Sequence, residues 1–157
     1  MKFLRILAIL LAATLAPPVL AADQNSMEMQ ILREKVKADK KLVVAKNMQL
    51  SETEARGFWP IYDAYQKDLD AINERLGRAI TAYAVAYKQG PISDDLAMQL
   101  LDEALSVEEA ETALKRSYVL KLNEVLPAAK TARYIQIESK IRAMVRMELA
   151  SKIPLVE

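Results

Sequence analysis

One apolar stripe constrains this chain more than any other feature. It runs Tyr62, Tyr65, Leu69, Ile72, Leu76, Ala79 with Ile80, Tyr83 and Tyr87. Steps of three and four keep side chains on one face of an α-helix. A strand repeats every two residues and cannot do this. Sustained over about seven helical turns, the spacing is a heptad seam for a second helix packed at a shallow angle. That second helix follows directly. Gln89-Gly90-Pro91 stops the first with a glycine C-cap and a proline. Ser93 caps the next, with Asp94 and Asp95 in its first turn and a stripe of Ala97, Leu100 with Leu101, Ala104, Val107, Leu114, Tyr118, Leu122 and Val125. So short a turn makes the two an antiparallel hairpin, with arms of about thirty residues and ~45 Å.

Two shorter terminal helices flank the hairpin. The first starts near Ser26 and ends around Asn47, with Met29, Leu32, Val36, Val43 and Met48 on its stripe and most lysines off it. Ser51 and Glu54, preceded by Leu50, form a capping box that opens the long helix. Pro60 predicts a kink or a local break near Gly57-Phe58-Trp59-Pro60, because proline offers no N–H to the carbonyl of Arg56. Leu126-Pro127 opens the last helix with proline at its first position. There Tyr134, Ile137, Ile141, Met144, Val145 and Leu149 share a face, and Pro154 ends it. The expectation is an all-α fold of four helices, with residues 23–157 forming a single domain. Only 3 glycines and 6% aromatic residues agree with long helices. The two helix starts also share a weak repeat: Leu50-Ser51 and Leu126-Pro127 are each followed eight residues after the leucine by an aromatic, Phe58 and Tyr134. Shared start signals explain it adequately.

Residues 1–22 read as a cleaved signal peptide: Lys2 and Arg5, an apolar run from Ile6 to Leu15, then Val19-Leu20-Ala21-Ala22. The run is too short to span a bilayer. The expected location is the periplasm, with no membrane span after cleavage. The mature chain carries a net charge of −1, which does not point to a nucleic-acid partner. That balance hides segregation: +3 over residues 26–50, −8 over 51–111 and +5 over 112–157. Basic terminal helices lying beside an acidic hairpin account for this; a surface with two signed patches is the other reading.

With 0 cysteines and 0 histidines, the chain has no disulfide, no thiol nucleophile, no catalytic triad and no histidine metal site. Glu108, Glu109 and Glu111, and Asp94 with Asp95, are dense carboxylates that solvated helix faces explain. Ser139-Lys140 and Ser151-Lys152 lack the spacing of a Ser-x-x-Lys site, and no glycine-rich loop exists to hold phosphate. No enzyme activity and no cofactor are expected. Met27 with Met29, and Met144 with Met147, are candidates for Cu(I) in an exported protein, against the usual role of methionine as core filler.

Phe58, Trp59, Tyr62 and Tyr65 form an aromatic group within two turns. They either fill the seam or present a partner-binding surface. The long seam needs cover along its whole length, and a homodimer sharing the hairpins would supply it.

The helix start Leu50-Ser51-Glu52-Thr53-Glu54 resembles the motif of the LTXXQ periplasmic proteins, the Spy/CpxP-like group, with serine for threonine and glutamate for glutamine. A second copy falls at Leu126-Pro127-Ala128-Ala129-Lys130, where proline and lysine depart from the pattern. The resemblance implies a Spy-like cradle of long hairpins, dimeric, acting as an ATP-independent chaperone or an envelope-stress accessory. Metal-responsive relatives use histidines, which this chain lacks. The readings kept beside it are a methionine-based metal-stress protein and a passive structural subunit of an envelope complex.

Overall fold

The computed structural model describes residues 37–156. Among these, every regular element is an α-helix: α1 over residues 37–48, α2 over Glu52–Gln89, α3 over Asp94–Asn123 and α4 over Ala128–Lys152. None of the described helices is long and apolar enough to cross a membrane. The chain divides into two compact units, Met1–Val43 and Val44–Glu157, and the second holds everything below. The signal peptide expected at residues 1–22 and the expected start of α1 near Ser26 lie outside the described residues.

The last turn of α1 buries Val44 and Met48 completely, whereas Val43 is 46% exposed. A spacing of four, not five, from Met48 selects the inward residue. Gln49, at φ 50, then ends the helix in a left-handed turn.

The capping box opens α2 as expected. Ser51 N–H donates to Glu54 Oε2 at 2.7 Å, and Glu54 N–H donates to Ser51 Oγ at 3.3 Å. Of the kink or local break expected at Pro60, the break does not occur, and α2 runs through it as one helix. Arg56 and Pro60 are both exposed, so solvent serves the carbonyl that the proline leaves without a donor. Buried Phe58 and Tyr62 anchor the helix on either side. Gly57 is required for another reason: a Cβ there would lie 2.8 Å from Val125 Cβ. Only glycine lets α2 pass this close to the turn after α3.

Gly90, at φ 127, closes α2, and Ser93 Oγ accepts from Leu96 N–H at the start of α3. The antiparallel hairpin is therefore present. Pro127 stands one residue earlier than expected, as the N-cap of α4. Its carbonyl accepts the N–H groups of Lys130 at 2.8 Å and Thr131 at 3.1 Å, and no side chain caps this end.

From there α4 runs alongside α2 in the same direction. Their contacts advance together: Glu54 with Lys130, Phe58 with Tyr134, Gln66 with Glu138, Asn73 with Arg142 and Tyr83 with Pro154. Against α3 it runs antiparallel, with Arg142 on Glu111 and Arg146 on Glu108. The unit is a three-helix bundle with the end of α1 against one end. The two helix starts that share a weak repeat meet each other, since Glu54 pairs with Lys130 and Phe58 with Tyr134, each a residue and its counterpart.

Candidate functional site

Three zones succeed one another along the bundle. The first is an aromatic core where α2 and α4 begin and α3 ends. Tyr134 meets Phe58 edge-on at 5.1 Å, and Tyr62 and Tyr65 at 6.0 Å each; Tyr65 also meets Tyr118 at 5.2 Å. Val44, Met48, Leu69, Leu122 and Leu126 complete the packing. The sequence left two roles for these rings, filling the seam or presenting a partner-binding surface. Phe58, Tyr62 and Tyr65 are buried, as seam filling requires, and Trp59 is half-buried against Phe58 and Tyr62. Three of the four rings thus have no surface to offer in this conformation. All three meet Tyr134 of α4, and Tyr65 also meets Tyr118 of α3, so packing claims them. The capping residues Leu50, Ser51 and Glu54 serve the same end. Lys130 Nζ bridges Glu54 Oε2 at 2.5 Å and the Gln49 carbonyl at 3.0 Å, tying α4 to the α1–α2 turn. The Lys130 hydrogen bond, with help from Ser51, holds the Glu54 carboxyl below its usual range.

The second zone is a polar belt across the middle. Burial, reinforced by Glu138, pushes the Tyr134 phenol far above its ordinary value. Gln66 Nε2 donates to Tyr134 Oη at 3.3 Å and to Glu138 Oε1 at 3.0 Å. Tyr118 donates to Asp68 at 2.6 Å. Glu111, only 2% exposed, is held by Arg142 and by Arg146 Nη2 at 2.8 Å. Arg142 Nη1 donates to Asn73 at 2.8 Å, and Arg146 Nη1 lies 3.3 Å from Glu108. Burial, then the neighbouring Arg146, lowers the Arg142 pKa from its ordinary value.

Sequence reasoning missed this belt. It read Glu111 as solvated and gave α4 a face of Tyr134, Ile137, Ile141, Met144, Val145 and Leu149, of which Tyr134 is fully buried, Ile137 packs against the core and Leu149 lines a groove beyond the belt. The buried face of α4 is Thr131, Tyr134 and Glu138, while Met144 is 61% exposed and Val145 43%. The signal was available, because Glu111 stands in the α3 stripe between Val107 and Leu114 at steps of four and three. Glu138 and Arg142 continue the steps of four from Tyr134.

The third zone lies beyond the belt. There α2, α3 and α4 enclose an open groove of about 500 Å³ walled by Leu76, Ile80, Leu100, Leu101, Val107 and Leu149, with Glu108, Arg142 and Arg146 also among its lining residues. Its cause is legible in the stripe. Ala79, Ala97, Ala104 and Ala150 line it too, and alanines are too small to fill the space between three helices. On α3, Met98, Leu101 and Leu105 repeat at steps of three and four and are each more than half exposed. Among the methionines once weighed for copper, Met144 and Met147 are exposed on α4, and Met27 and Met29 lie outside the described residues. No group of three or more His, Cys, Asp or Glu among the described residues could hold a metal.

Comparison with family models, with curated proteins and with solved structures gives no match to this chain.

Proposed function

We propose that this is an exported, periplasmic protein that binds apolar segments of other, partly unfolded proteins. It is a chaperone-like component of the envelope, of the kind that its Leu-Ser-x-x-Glu... helix start resembles. The observation that supports this reading is the distal groove. A structural subunit with this aromatic core would gain nothing from an unfilled apolar cleft, whereas a binder needs one. The groove takes over the role first given to Phe58, Trp59, Tyr62 and Tyr65. Its occupant is a short run of aliphatic side chains, with Glu108 and Arg146 meeting polar groups at one end.

The same reading includes a homodimer. Met98 and Leu105, exposed on α3 and seven residues apart, have the heptad spacing by which two copies of α3 pack. Sedimentation equilibrium tests that part: Met98→Lys should shift the protein to monomer, and a wild-type monomer at high concentration contradicts the dimer.

The binding function is tested by following the aggregation of a heat-unfolded client. Suppression at a one-to-one ratio, with no nucleotide present, is the expected result. Aggregation unchanged at a fivefold excess of this protein contradicts it.

A further inference from the structure

We infer that the segment after α4, Ile153–Val156, is a built-in competitor at one edge of the groove: it leaves about 500 Å³ open, and a short, extended apolar segment that takes the whole groove must displace it. This rests on the groove being the binding site of the preceding section, and it adds the class of ligand and its control. At Ile153 the chain leaves α4: its N–H still donates to Leu149 O at 3.1 Å, but its backbone is extended at φ −90, ψ 116. Pro154 cannot continue a helix. The tail then reaches α2, where Tyr83 Oη donates to the Pro154 carbonyl at 2.9 Å. Ile153 and Val156 line the groove, while Leu155 between them is 86% exposed.

The hold is light. The tether is an exposed hydrogen bond, and Ile153 and Val156 keep 36% and 54% of their surface. A covering segment of this kind is displaceable, unlike a wall of the core. It also displays the chemistry that the groove accepts: aliphatic side chains on an extended backbone, with a carbonyl received by the Tyr83 hydroxyl. An incoming segment of the same chemistry competes for the same walls, and its apparent affinity falls by the fraction of time the tail is in place.

The test uses a fluorescent peptide with the sequence of residues 151–157 and follows its anisotropy. Three proteins are compared: the intact chain, the chain ending at Lys152, and the intact chain carrying Ile153→Asp with Val156→Asp. The last keeps full length and guards against a folding effect of truncation. Both altered proteins should bind the peptide at least about threefold more tightly than the intact chain. Tyr83→Phe in the truncated chain should weaken peptide binding about twofold to threefold. Equal binding by all three proteins overturns the inference, as does weaker binding, or none, by both altered proteins. Aggregation suppression is read separately. Suppression without any tail effect overturns the competitor inference alone. A tail effect without suppression overturns the chaperone reading alone.

Discussion

The two ends of the bundle are built from one heptad pattern yet differ in what that pattern carries. At the end where α2 starts, the stripe holds Phe58, Tyr62, Tyr65 and Leu69, and rings from α3 and α4 meet them edge-on. At the far end the same register holds Leu76, Ala79, Ile80 and Tyr83 against Ala97, Leu100 and Ala104, and a groove of about 500 Å³ stays open. Side-chain volume contributes to the difference, together with where α4 comes to rest. Large rings fill the space between three helices, and alanines do not. The belt of Glu111, Arg142 and Arg146 marks the border. Continuity of a helical seam therefore does not imply continuity of a core.

The sharpest way to break this contrast is at the border. Glu111→Ala leaves Arg142 beside an empty site in the interior, and should cost about 3–5 kcal/mol in urea unfolding. Phe58→Ala, inside the core, should cost a similar ~3–5 kcal/mol. Gly57→Ala, which drives a methyl into Val125, should cost about 1–3 kcal/mol. Leu101→Ser at the groove should change stability by no more than about 0.5 kcal/mol, while weakening client binding severalfold. A large stability loss there would mean that the distal end is core after all. The smallest effect belongs to Thr131, whose buried hydroxyl has no hydrogen-bond partner among the described residues. Thr131→Val should be neutral or stabilising by up to ~1 kcal/mol, read as a raised Tm.

The aromatic end also predicts a pH signature. Burial, with Asp68 assisting, raises the Tyr118 phenol from 10.0 to about 12. A raised value in the fold means that the stabilisation is complete below pH 10.0 and is lost as pH climbs through about 12. The urea midpoint should fall across that window, and Tyr118→Phe should flatten the fall.

How much of this was legible depends on what kind of signal each element carries. The α2–α3 hairpin was readable because Gly90-Pro91 and Ser93 are local punctuation, and the capping box because Ser51 and Glu54 act within one turn. Pro60 misled in part: of the kink or break that a local rule allows, the break is overridden by tertiary packing and solvent exposure. The face of α4 misled in the opposite sense. Counting apolar residues found Tyr134, which is buried, and Ile137, which packs against the core, but also chose Met144 and Val145, which are exposed, and passed over Glu138 and Arg142, which turn inward because Gln66, Asn73 and Glu111 wait there on other helices. No window along α4 contains that information. The groove was half-written in the alanines of the stripe, and its third wall depended on where α4 came to rest.

The central claim is that one end holds the fold together and the other meets partners. Site-specific photo-crosslinking tests it directly. A photoreactive side chain is placed at Leu101 in one protein and at Trp59 in another, and each is illuminated with an unfolding client. The account predicts client adducts from position 101 and few or none from position 59. Adducts from position 59 at equal or greater yield would contradict it.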